Sequence, residues 1–289
     1  MADRVEVKKT YKTYIGGNFP RTESGRFYTV EDHQGNFLAN ACRCSRKDVR
    51  DAVVAARDAF SGWKNRTAYN RGQILYRIGE MLEGRKAQFM EELQLLGATV
   101  KAARSEVEHS IDRLIYYAGW SDKYQQVYST VNPVASNHFN FSIPEPMGVV
   151  SVLAPVNSPL LGLVSVLAPV VVGGNTAVVL ADRDAPNVAV SFAEVLHSSD
   201  VPGGVINILT GFRDELIPHL ASHMDINAFF YADNEVNRET RKQIDENAAL
   251  NVKRVVNEPY DEWQNDDARN PQLIMNFQEI KTTWHPIGN

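Results

Sequence analysis

An α/β fold with a doubly wound, five-stranded parallel sheet is predicted by two features of this sequence. Between residues 148 and 256, short apolar runs alternate with segments of helical periodicity. The runs at 149–153, 177–180, 205–209 and 226–231 are almost continuously apolar, as strands covered on both faces are, and a fifth strand is expected at 252–256. Right-handed crossovers through the intervening helices make such a unit Rossmann-like.

The elements follow in order. An N-terminal helical segment comes first. Ser45 and Asp48 resemble a capping box, with Asp in the place of Glu or Gln. Beyond it Val49, Val53, Ala56, Phe60 and Trp63 recur at helical spacing. Ile74, Ile78 and Leu82 form a second stripe, and Phe89, Leu93 and Leu96 a third. A fourth helix is predicted over 101–124, with Val107, Ile111, Leu114 and Ala118 facing inward. Its group Tyr116, Tyr117, Trp120 and Tyr124 reads as core and interface.

Residues 128–143 change character. Val127, Ser129 and Val131, then the alternation from His138 to Ile143, predict two strands around a turn. Crossover helices of the parallel sheet are expected over 158–172, 186–198, 214–222 and 235–247. Residues 259–271 are polar and acidic, and predict a solvated linker. Thr282, Thr283 and Trp284 then favour a last strand, which must pair with the earlier hairpin. The predicted organisation is one body from 1–126 and 148–258, a small antiparallel sheet from 127–147 and 271–289, and a linker at 259–270.

Composition narrows the function. The 289 residues are 44% hydrophobic and 22% charged, ordinary for a globular chain. A net charge of -5 gives no reason to expect nucleic acid or an anionic membrane surface. The longest apolar run, 160–172, is too short to span a bilayer. The opening, Met1 to Lys9, is charged and has no apolar signal core, so a cytoplasmic location is expected. Cys42 and Cys44 cannot make a disulfide framework and read as core or strand thiols. His219 and His223 stand i, i+4 on a predicted helix, but no third ligand accompanies them and no metal site is expected. Gly173-Gly174 and Gly203-Gly204 are turn glycines that form no phosphate loop.

Several stretches in one order resemble the aldehyde dehydrogenase superfamily. They are Tyr14-Ile15-Gly16-Gly17, the 55–63 segment ending Ser61-Gly62-Trp63, Glu145-Pro146-Met147-Gly148, and Ala154-Pro155-Val156-Asn157-Ser158-Pro159. Gly173-Gly174-Asn175-Thr176, Pro202-Gly203-Gly204-Val205-Ile206-Asn207 and Lys253-Arg254-Val255 continue the match. The architecture is similar to the non-catalytic second domain of the two-domain, sixteenth family of these enzymes.

The resemblance implies a set of site residues, and this sequence departs from most of them. Val156 stands where the family usually has an aromatic residue. Asn157 matches the family's oxyanion donor, but a donor without an attacking thiolate stabilises nothing. Leu180 and Arg183 replace the lysine and glutamate that hold the cofactor ribose; leucine cannot donate, and arginine cannot accept from a hydroxyl. A phosphorylated ribose is the alternative that Arg183 leaves open. Ala232 and Asp233 replace a Gly-Ser pair beside the pyrophosphate, and Asp233 reads as an N-cap whose carboxylate would repel it. Glu258 matches the general base, yet Pro259 and Tyr260 follow it instead of glycines, and no cysteine follows at all. Asn157 and Glu258 are therefore expected to be vestigial, and no cofactor is expected.

The expected function is a non-catalytic relative acting as structural or regulatory partner of a complete aldehyde dehydrogenase through its oligomerisation strands, or self-associating through them. The alternative is an NAD- or NADP-dependent aldehyde dehydrogenase, or a cofactor-binding subunit of one. A module for another small metabolite at the sheet's switch point rests on fold analogy.

Overall fold

The computed structural model describes residues 8–232 and 236–288. Three short strands precede the helices: β1 (Thr10–Tyr11), β2 (Phe27–Glu31) and β3 (Phe37–Cys42), in the order β1-β3-β2. The N-terminal segment is thus not purely helical. Strands of two to six residues carry too little periodicity to announce themselves. The visible signal is the Asp32–Gly35 turn, where the Asp32 carboxylate accepts from the Gln34 and Asn36 amides at 2.9 and 2.8 Å. Cys42 is buried at the end of β3, and Cys44 is buried just beyond it.

Helices α1 (Arg46–Lys64), α2 (Ala68–Gly84), α3 (Lys86–Leu95), α4 (Val100–Trp120) and the short α5 (Tyr124–Tyr128) follow. The capping box at Ser45 and Asp48 is present, and Asp48 Oδ2 accepts from the Ser45 amide at 2.7 Å. Strands β4 (Thr130–Asn132) and β5 (His138–Pro146) make the hairpin.

The large sheet then alternates strictly with helices. Its parts are β6 (Val149–Leu153), α6 (Leu161–Val172), β7 (Thr176–Leu180), α7 (Pro186–His197), β8 (Ile206–Leu209), α8 (Arg213–Ser222), β9 (Ala228–Tyr231), α9 (Arg238–Ala249) and β10 (Arg254–Asn257). All five strands are parallel in the order β10-β9-β6-β7-β8, the doubly wound arrangement the apolar runs predict. Successive residues point to opposite faces. Val150, Val152, Val179 and Phe230 pack with residues of α2, α4, α6 and α7. Leu153, Val178, Leu180 and Phe229 pack on the other side with α1, α8 and α9.

After β10 the chain makes a 3₁₀ turn (Asp266–Arg269), then α10 (Gln272–Met275) and β11 (Gln278–Pro286). β11 pairs antiparallel with β5 along its whole length, giving the small sheet β11-β5-β4. Residues 259–271 are not the solvated linker that their acidity suggests, and the segment continues as a packed one to 277. Trp263, Ala268, Leu273, Ile274 and Phe277 are buried, and the acids around them face outward. Apolar anchors spread among charges defeat a compositional reading, because burial there follows individual residues.

One turn carries backbone strain. Val252 closes α9 with φ +55° and is 92% exposed, while Lys253 N–H returns to the Ala248 carbonyl at 3.0 Å. That closure normally falls to glycine, because a β-branched side chain in the left-handed region is an outlier. Val252→Gly removes about 1 kcal/mol of backbone strain and forfeits no packing, so a urea melt should show it more stable than the parent. An unchanged or lower midpoint would contradict the strain.

Candidate functional site at the carboxyl ends of the strands

Ligands of doubly wound sheets bind outside the carboxyl ends of the strands, where the strand order reverses. Here that reversal lies between β6 and β9, and the residues expected at the site surround it. Beyond β6 the chain turns through Ala154, Pro155, Val156 and Asn157 into α6.

Asn157 is the best preserved of these residues, and the chain itself engages it. The Trp263 indole N–H donates to Asn157 Oδ1 at 2.9 Å. Trp263 is only 4% exposed and packs edge-on against Tyr260, with ring centres 5.2 Å apart. The Arg113 guanidinium, buried on α4, holds this strap in place. It donates to the Trp263 carbonyl at 2.6 Å, to Ser165 Oγ at 2.7 Å, and to the Ala268 carbonyl. Burial lowers its affinity for the proton, which an arginine in this setting still keeps. Tyr117 reaches the Asn270 carbonyl at 3.3 Å from the same helix. Residues 259–277 are thus a docked strap across α4 and α6.

The N-terminus of α6 is also occupied. Glu106 of α4 accepts from Ser158 Oγ at 3.1 Å and from the Leu160 and Leu161 amides at 2.9 and 3.2 Å. A carboxylate already satisfies the free amides that would otherwise attract an anion. The sequence suggests such a cap at Asp233, ahead of α9. Asp233 lies outside the described residues, and α9 is capped by Asn237, whose side chain accepts from the Thr240 amide at 2.8 Å. Glu106 escapes a reading of the sequence because its position, mid-helix, says nothing of a partner 52 residues away.

The two ribose positions carry neither the lysine nor the glutamate that the resemblance implies. Leu180 is fully buried between β7 and the α1/α8 layer. Arg183 is exposed, with its guanidinium 4.6 Å from the Phe212 ring centre and 3.8 Å from Asp184. Arg43 stacks on the same ring, also at 4.6 Å. Val156, Arg183 and Phe212 line a cleft of about 730 Å³ between α8 and α9, where five carboxylates face three basic side chains. That balance repels a pyrophosphate. Ala232 is buried at the end of β9, its methyl filling space where backbone alone would leave an approach.

Glu258 follows β10, half-buried rather than fully solvated. Its backbone N–H donates to the Tyr231 carbonyl at 3.2 Å, and its carboxylate accepts from the Asn276 amide at 3.4 Å. Beside it, the Tyr260 phenol is pushed up to about 12 by burial and by the Glu258 charge. The strap therefore touches both residues that match catalytic positions, Asn157 through Trp263 and Glu258 through Asn276. Val156 and Arg183 share the neighbouring cleft, and Leu180 belongs to the core beneath. Among the described residues no three His, Cys, Asp or Glu side chains gather as a metal site, and no helix is long and apolar enough to cross a membrane.

The retained motifs serve packing. Asn175 accepts from the Gly148 amide at 3.0 Å and donates to the Phe277 carbonyl at 2.9 Å, clasping β6 to the strap. Thr176 Oγ1 donates to the Ala56 carbonyl at 3.0 Å.

Fold and site position together define a dinucleotide-fold protein of the kind found in oxidoreductases. The family model described as "Aldehyde dehydrogenase family" matches residues 19–259, and the chain belongs to that family. It is 31% identical over 230 residues to the human mitochondrial 10-formyltetrahydrofolate dehydrogenase, covering 78% of this chain and 25% of that protein. It is 30% identical over 271 residues to the D-glyceraldehyde dehydrogenase (NADP(+)) of Thermoplasma acidophilum, covering 90% and 53%. Among solved structures, the NAD+ complex of an aldehyde dehydrogenase from Bacillus cereus superposes with a TM-score of 0.81 at 25% identity, over 87% of this chain and 51% of that one. The HpcC protein of Thermus thermophilus gives 0.82 at 27%, over 87% and 48%. The chain thus spans between about a quarter and about half of the relatives it matches.

Proposed function

We propose that this chain is a non-catalytic member of its family, a cytoplasmic structural or regulatory partner of a complete aldehyde dehydrogenase. The observation that carries the reading is internal to the chain. Between β10 and β11 there is no cysteine, and the strap found there hydrogen-bonds Asn157 through Trp263 and Glu258 through Asn276. With its Oδ1 held by the indole and no thiolate in this segment to attack a carbonyl, the Asn157 side chain serves as an anchor for the strap. NAD and NADP do not fit the ribose and pyrophosphate positions, so the chain works without either.

What remains to offer is the small sheet. β11 presents nine residues with a free outer edge among the described residues, and Ile280 and Trp284 on one face are 56% and 57% exposed. An uncovered edge of that length invites pairing. Strand addition to the catalytic domain of a complete family member would cover it, and self-association through the same strands is the competing occupant.

The test is native mass. Mixed with a complete aldehyde dehydrogenase, the chain should migrate in a heteromeric complex. Replacing Ile280 and Trp284 together by lysine should weaken that complex by at least about 30-fold, the effect of losing one aromatic anchor of ~2 kcal/mol. A chain that stays monomeric with the enzyme present would overturn the reading. So would aldehyde turnover by the pure chain that a point change abolishes.

The second reading, an NAD(P)-dependent dehydrogenase or a cofactor-binding subunit of one, draws on the open cleft between α8 and α9. Titration with NAD and NADP separates the two: saturable micromolar binding supports the second reading and none supports the first.

A further inference from the structure

A second cleft, away from the carboxyl ends of the strands, has a different chemistry. It measures about 920 Å³ and lies between the first turns of α1 and the last turn of α8. Arg46, Lys47 and Arg50 line one wall, and His219, Ser222 and His223 the other. Among the described residues no carboxylate lines it, although acids outnumber bases by 35 to 30 in the chain. Lys47 pairs with Glu23 at 2.5 Å and Arg50 with Asp51 at 2.8 Å, both outside the cleft.

We propose that this cleft is a binding site for a phosphate monoester, held by Arg46 and Arg50 across from His219 and His223. Guanidinium groups match phosphate oxygens with paired N–H donors, and imidazoles add two more donors once protonated. Met224, exposed at the rim, supplies the apolar contact that a small organic phosphate needs and free phosphate does not. The electrostatics of the histidines fit this occupant. Burial and the Arg46 charge lower the His219 pKa. Burial lowers that of His223, with Lys253, Arg46 and Arg57 acting the same way and Asp225 opposing them. Arg46 thus acts on both imidazoles, and a bound dianion would offset it and bring protons with it. A metal cation would instead meet three fixed positive charges, so the pair of histidines is not read as a metal site.

The experiment follows the imidazole resonances of the whole chain by NMR between pH 5 and 8, with inorganic phosphate and with glycerol 3-phosphate. Saturable shifts are expected with both, together with a rise in the pKa of each histidine. Tighter binding of glycerol 3-phosphate would assign the site to an organic phosphate, and equal binding to free phosphate. Arg46→Glu should weaken either ligand by at least about tenfold while leaving the thermal melt unchanged; Arg46→Gln gives a milder check should the reversal disturb folding. The proposal is overturned if chloride at matched ionic strength reproduces the shifts, or if Arg46→Glu and Arg46→Gln bind phosphate as the parent does.

Discussion

Trp263→Ala is expected to cost the chain about 3–5 kcal/mol of folding stability, the range for deleting a buried indole. The residue is almost wholly buried, its ring packs on Tyr260, and its N–H is bonded to Asn157. Losing it also leaves the Arg113 guanidinium anchored to a segment with less reason to stay. Trp263→Phe keeps most of the packing and removes the hydrogen bond, so its cost should be nearer to ~1 kcal/mol. Urea denaturation of the three proteins measures both numbers. Trypsin gives an independent reading, because Arg269 sits in the strap, stacked on Tyr116 and paired with Asp266 at 2.6 Å. Cleavage after Arg269 should accelerate in the alanine variant and hardly change in the phenylalanine one. If Trp263→Ala melts within about 1 kcal/mol of the parent, the strap is a loose connector that does not hold Asn157.

That pair of variants also separates two explanations of why the positions matching catalytic residues depart from the family pattern. In one, catalytic positions have merely drifted. In the other, the chain has built new contacts over them. Trp263, Arg113 and Glu106 favour the second. None belongs to the stretches that carried the family resemblance, and together they engage Asn157 Oδ1 and the amides of α6.

The sequence disclosed some levels of this structure and hid others for physical reasons. The parallel sheet was legible because strands buried on both faces leave a local mark, a run of apolar residues with no polar face. The β5–β11 pairing was legible for a different reason: a strand that follows a finished sheet needs a partner, and one hairpin was free. Substitutions at Leu180, Arg183 and Ala232 could be judged by side-chain chemistry alone. The strap could not, because Trp263 and Ala268 are buried by α4 and α6, which lie far away in sequence. The cap on α6 was hidden in the same way, since the Glu106 carboxylate serves a helix it does not belong to. The N-terminal sheet failed for want of length, and the capping role that Asp233 suggests is performed for α9 by Asn237.

Gly204→Ala should be among the most damaging single changes in the chain, at about 2–5 kcal/mol, whereas Asn157→Ala should cost only about 1 kcal/mol. Gly204 has φ +87°, and an added Cβ would lie 2.4 Å from the Ala55 carbonyl oxygen and 3.0 Å from Ala59 Cβ, both on α1. The left-handed backbone alone penalises alanine by about 1–2 kcal/mol. Prying α1 from the sheet adds overpacking of about 1–3 kcal/mol, because the nearest atom is backbone and cannot swing aside. Asn157→Ala loses one hydrogen bond to an indole near the surface. In a catalytic family member the ranking by function would be the reverse, with the asparagine indispensable to chemistry. Here both residues belong to matching stretches, and their expected costs divide them: Gly204 is needed because α1 packs against it, while Asn157 is a foothold for the strap. Thermal melts of the two variants test that division. A mild Gly204→Ala beside a severe Asn157→Ala would mean that the site, and not the packing, is what this chain preserves.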